Sequence, residues 1–123
     1  MIPCWRETPV IRKVIERNLR EIEYGNCDVW GCVYPNDPQS MLEGEQCSDP
    51  RVHYAVNLRN TPKTKADFLN QILVKIGRYE LRTNKPYDLF IHHDAEDVIH
   101  PSEFSVAARR GYRQCGSFGE PWR

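Results

Sequence analysis

Asp94, Glu96 and Asp97 fall within four consecutive positions, just after the apolar run YDLFI (87–91) and the pair His92–His93. The run reads as a buried strand, so the chain leaves its core directly into carboxylates. Several hard oxygen donors within one turn of chain suit Mg2+ or Mn2+ shared with phosphate oxygens better than zinc. The same tetrapeptide, DAED, is also what a solvated acidic loop looks like. His92, His93 and His100 raise a zinc reading, but a tetrahedral site needs further ligands, and His53 alone hardly supplies them. Lys65 lies in the first turn of a helix, where backbone N–H groups and the positive dipole end favour an anion. By itself such a lysine is a solvated surface residue, and Trp5 by itself is a buried aromatic. No GxGxxG, GxSxG or Walker-type loop is present, which argues against dinucleotide, serine-hydrolase and NTPase chemistry.

The elements that must hold these residues follow from periodicity. MIPCW (1–5) is short and apolar. TPVIRKVIERNLREIEYG (8–25) predicts a helix with Thr8 as N-cap, Pro9 in the first turn and Gly25 as its stop. Val10, Ile11, Val14, Ile15, Leu19 and Ile22 fall on one face of it. CDVWGCVY (27–34) is nearly all apolar and runs into PNDP, where Asp37 can cap a short helix starting at Pro38. RVHYAVNL (51–58) alternates, with Val52, Tyr54, Val56 and Leu58 on one side, and reads as a half-covered strand. TPKTKADFLNQILVKIGRYEL (61–81) is the second clear helix, begun by a capping-box-like Thr64 and Asp67. Phe68, Leu69, Ile72, Leu73 and Ile76 form its stripe. NKP then turns the chain into YDLFIHHD (87–94). Strands alternating with helices, joined by connections too long for hairpins, predict right-handed crossovers. The fold expected is a three-layer α/β domain with a mostly parallel sheet of about four strands and helices on both faces. Ligands of such sheets sit beyond the carboxyl ends of the strands, where strand order reverses. WRE, PNDP and DAED all fall at those ends.

Net charge is zero, with 17 basic and 17 acidic residues among 123, so no global field favours nucleic acid or an anionic membrane. No apolar stretch approaches the roughly 20 residues of a membrane span, and without a basic n-region ahead of an apolar run no secretory signal is expected. Five cysteines, an odd number without CxxC spacing, suit free thiols in a reducing compartment, so a cytoplasmic location is expected.

IPCWRE, YPNDP, TKADFLN and HHDAEDVIHPSE occur in the order and near the spacing seen in family-2 glycosyltransferases of the GT-A fold. The chain most resembles the bacterial branch related to phage adsorption protein B, whose members look like PAWxE, YPNDP, TKADCLN and HDAEDVxHPxE. The resemblance implies a Rossmann-like GT-A domain that binds a nucleotide-sugar donor, most simply a UDP-sugar, through Mn2+ or Mg2+. It implies Asp94 and Glu96 as metal ligands in the DxD-like segment, with Asp97 adjoining. It also implies Pro3, Trp5, Glu7 and Asp37 lining the nucleotide pocket, with Lys65, Asp67 and Asn70 bordering it.

Four ordered motifs span residues 2–103, and the resemblance ends near Glu103. Family enzymes continue with an acceptor-binding half, a catalytic base and often membrane helices at the cytoplasmic face of the inner membrane. Residues 1–104 therefore read as the nucleotide-sugar-binding half of a truncated GT-A domain. Residues 105–123, rich in arginine and glycine, read as an irregular tail with a short helix at most. Glu103 is expected in the first turn of a helix after Pro101, capping local N–H groups. The chain alone is expected to lack the base and acceptor site, and so to need a second chain or a C-terminal half. The reading from another class is a non-catalytic nucleotide- or metal-binding module acting with a partner chain. A metal-dependent phosphohydrolase, where HHD also occurs, is more distant.

Overall fold

Val29, Trp30, Gly31, Cys32 and Val33 are buried at every position, as the middle strand of a sheet covered on both faces must be. The computed structural model describes residues 1–3, 10–58, 64–94 and 97–110. Its elements are β1 (Ile2–Pro3), α1 (Val10–Glu21), β2 (Val29–Val33), α2 (Pro38–Glu45), β3 (Val52–Val56), α3 (Lys65–Thr83) and α4 (Glu103–Arg110). β1 pairs with β2 in parallel at Ile2↔Gly31, and β2 with β3 from Val29↔Val52 to Val33↔Val56. The predicted α/β architecture is the one observed. Thr8 and Pro9, the expected start of α1, lie outside the described residues.

Alternation along β2 divides the core in two. Val29 and Val33 face α1, meeting Ile11, Ile15 and Leu19, with Met41 of α2 packed alongside. Trp30 and Cys32 face the other way, with Ala55, onto Phe68, Ile72 and Ile76 of α3. On β3, Val52 and Tyr54 join the α1 layer, whereas Val56 and Leu58 are exposed. The half-covered face expected there is covered only along its first half.

The expected strand at 87–91 needs correction. Residues 87–94 form no strand of their own, yet the Met1 nitrogen donates to the Ile91 carbonyl at 2.6 Å and the His93 N–H to the Met1 carbonyl at 3.0 Å. Those two bonds make one parallel bridge centred on Met1 and His92. The segment therefore lies beside β1, and the order across the sheet is β3, β2, β1, then residues 91–93. Tyr87 is tied elsewhere: its N–H donates to the Glu80 carboxylate at 2.6 Å.

The helix ends have local causes. Asp37 Oδ1 accepts the Ser40 N–H at 3.4 Å, the cap expected for α2. Thr64, extended at φ −150° and ψ 163°, accepts the Asp67 N–H on its hydroxyl at 3.1 Å and starts α3. Asn84, left-handed at φ 54°, ends it. α1 stops before the predicted Gly25, which is not left-handed, because the Glu23 N–H donates to the Pro101 carbonyl at 3.0 Å instead of continuing the helix.

Gly77 sits inside α3, and a Cβ built there would meet nothing within 4 Å. Gly77→Ala is therefore expected to raise stability by about 0.5–1 kcal/mol, read as a higher urea midpoint at unchanged slope.

Candidate functional site

Because the strands are parallel, their carboxyl ends share one edge, and the chain reverses direction across the sheet between β1 and residues 91–93. Four polar segments leave the sheet there: Asp37 beyond β2, Asn57 beyond β3, the first turn of α3 with Asp67, and the turn Asp94–Asp97. Asn57 is buried and its N–H donates to the Val33 carbonyl at 2.8 Å, extending the β2–β3 pairing past the strand. Burial pushes the Cys32 thiol up to about 11, a hydrogen bond with Asn57 opposes this, and the nearby Asp67 carboxylate adds to it. Phe68, one residue on, has its ring 5.8 Å from His92, so the start of α3 stands beside the acidic segment.

The acidic turn closes on itself. The Asp94 N–H donates to Asp97 Oδ2 at 2.9 Å, and the Asp97 N–H returns to the Asp94 carbonyl at 3.1 Å. His93 lies between two carboxylates, with Nδ1 3.5 Å from Asp97 Oδ2 and Nε2 2.8 Å from Glu103 Oε1. Glu103 does open α4, but its carboxylate meets the His93 ring rather than serving as the local cap expected of it. The largely buried imidazole faces the first turn of α4 within hydrogen-bond reach of that carboxylate, which draws it away from the helix N–H groups. Asn18, on the buried face of α1, donates from Nδ2 to the Asp97 carbonyl at 3.2 Å and accepts the Ile99 N–H on Oδ1 at 3.2 Å. Nothing in the sequence reading marked Asn18. The one available signal was an amide on a stripe of isoleucine and leucine.

Of the remaining site candidates, Pro3 pairs through its backbone with Cys32, and Asn70 is exposed on α3. Trp5, Glu7, Glu96 and the side chains of Pro3 and Lys65 lie outside the described residues, as do Cys4 and Cys115. Among the described residues no three His, Cys, Asp or Glu side chains are grouped to hold a metal ion by themselves. The donors at the turn are hard carboxylate oxygens, which fit Mg2+ or Mn2+, and a site with few protein ligands would take the others from phosphate or water.

A second polar group sits at the opposite end of the sheet. Asp28 Oδ2 accepts the Tyr87 hydroxyl at 2.5 Å and lies 3.5 Å from His53 Nε2, and Trp30 Nε1 donates to the Tyr87 oxygen at 3.2 Å. Trp30 stacks on His53 at 4.8 Å, and Tyr79 closes edge-on against Trp30 at 5.3 Å. Burial, and then the bond to Asp28, hold the Tyr87 hydroxyl well above the ordinary tyrosine range. The group borders a cavity of about 570 Å3 that also meets Lys85, Phe90 and Ala107. Its ring faces are spent on one another, so we read it as a structural seal. Tyr87→Phe is expected to cost about 1–2 kcal/mol in chemical unfolding, since it strips a partner from both Asp28 and Trp30.

The sequence matches the family described as Glycosyltransferase like family 2 over residues 1–115, and the chain belongs to that family. Among individual proteins it is 41% identical over 108 residues to bacteriophage adsorption protein B of Escherichia coli K12. It is equally 41% identical over 108 residues to bacteriophage N4 adsorption protein B of Escherichia coli O157:H7. Each alignment covers 86% of this chain, which spans 14% of the length of either relative. No solved structure matches at a significant level. No described helix is long and apolar enough to cross a membrane.

Proposed function

We propose that this domain holds the diphosphate end of a nucleotide-sugar donor, a UDP-sugar in the first instance, for inverting glycosyl transfer. The observation that supports this is architectural. Among the described residues, Asp37, the first turn of α3 and Asp94 belong to segments that resemble the family's motifs, and they lie at one edge of a parallel sheet whose order reverses beside β1. Asp94 and Glu96 act as metal ligands, and Asp97 closes the turn by accepting the Asp94 N–H. A divalent ion bound there neutralises the charge that gathers on the departing diphosphate. Lys65, first residue of α3, adds a cation where helix N–H groups already favour phosphate. Asp67 and Asn70 border the same space, with Pro3, Trp5, Glu7 and Asp37 toward the nucleoside. None of these residues is assigned as the general base, because a carboxylate already coordinated to a dication is a poor proton acceptor.

The test is titration calorimetry of the chain with UDP in Mn2+ and in EDTA, with uridine as the control. UDP is expected to bind only with the metal, and uridine weakly and equally in both. Equal UDP affinity in EDTA would falsify the metal role.

A further inference from the structure

We infer that Asn18 is a positioning residue for the acidic turn, an inference that rests on the metal reading above. Asn18 is 3% exposed on the apolar face of α1, where a polar group is costly unless hydrogen-bonded. Both of its bonds go to the backbone that leaves the turn: Nδ2 to the Asp97 carbonyl, and Oδ1 from the Ile99 N–H. The carboxamide, with its NH2 donor and C=O acceptor in one plane, pairs with that stretch much as a neighbouring strand would. These bonds reach 79 and 81 positions along the chain. Ile99 is itself 3% exposed, so the same stretch is anchored in the core.

On its other side the turn is fixed by the His93 N–H bond to Met1. Asp94 and Asp97 therefore stand between two fixed points, the sheet edge and α1, and the spacing between those points sets where their carboxylates stand. Metal sites depend on supports of this kind as well as on the ligands themselves. Aspartate at 18 would keep the shape but offer no donor to the Asp97 carbonyl. Leucine would fill the space and bond to neither group.

The experiment compares N18D and N18L with the wild-type chain by calorimetry, together with amide hydrogen exchange. Mn2+-dependent UDP affinity is expected to fall about 10–100-fold, the loss typical of a removed metal-site support. Uridine affinity should stay within about twofold, and exchange protection should be lost at Ile99 but kept at Ile72. Folded variants that bind Mn2+ and UDP like the wild type overturn the inference and leave the metal reading standing. So does a parallel fall in UDP and uridine affinity, which marks a merely structural residue. A wild-type chain whose UDP binding ignores Mn2+ removes the metal reading itself, and this inference with it. Should both variants fail to fold, wild-type exchange decides. Protection at Ile99 that rises at least about tenfold with Mn2+ and UDP supports the clamp, and protection that does not change overturns it.

Discussion

Asp94→Asn is expected to lower UDP affinity in Mn2+ by at least about 100-fold, roughly 2.7 kcal/mol, to the level the wild type shows in EDTA. The substitution keeps the side chain's size and an acceptor oxygen but removes the negative charge that a hard dication selects. The turn itself should survive, because Asp94 closes it through its backbone: its N–H to Asp97 Oδ2 and its carbonyl from the Asp97 N–H. Affinity is therefore expected to fall further than stability, because the bonds that close the turn run through the Asp94 backbone. This separates a ligand from a structural residue. An Asp94→Asn chain that melts normally and still binds UDP in Mn2+ as tightly as the parent would remove Asp94 from the site. Asp97→Asn offers the contrast: its Oδ2 serves the Asp94 N–H and the His93 ring, so stability should fall along with affinity.

Much of this architecture is legible in the residues because its determinants are local. Ile11, Ile15 and Leu19 recur at helical spacing and are buried as that spacing requires. Thr64 and Asp37 start their helices through side-chain bonds to N–H groups three residues ahead. The sheet edge that gathers the polar segments follows from the alternation of strands and helices, a property of connection length.

What could not be read depends on contacts between distant positions. The reach of Asn18 to Asp97 and Ile99 exists only once α1 has docked, and no periodicity encodes it. The pairing of His93 with Glu103 requires α4 to fold back against the turn. YDLFI has the composition of a strand, but composition cannot say whether a neighbour is in register. Here Tyr87 is held by Glu80 and Asp28 instead. Val56 and Leu58 alternate correctly with Val52 and Tyr54, yet alternation predicts only which face a side chain takes and not whether anything covers it.

Phe68→Ala is expected to cost about 3–5 kcal/mol, the range for truncating a buried aromatic. Phe68 is 2% exposed and packs with Ile72 and Ile76 against Trp30, Cys32 and Ala55. Removing its ring leaves a void in the layer that holds α3 to the sheet, and the loss is large beside the 5–15 kcal/mol by which domains are commonly stable. The position also joins core to site. Phe68 follows Asp67 in the first turn of α3, and its ring contacts His92 just ahead of the acidic turn. Loosening it should let the start of α3 shift against residues 92–97, so UDP affinity in Mn2+ should fall even at temperatures where the variant remains folded. Phe68→Leu keeps most of the apolar volume and should lose less of both quantities. The measurement is urea unfolding of the three chains followed by tryptophan fluorescence, with UDP titrations in Mn2+ under folded conditions. A Phe68→Ala chain destabilised by less than about 1 kcal/mol would mean that the ring lies outside a packed core. The assignment of this face of α3 to the sheet would then fall, and with it the placement of Asp67 at the carboxyl edge.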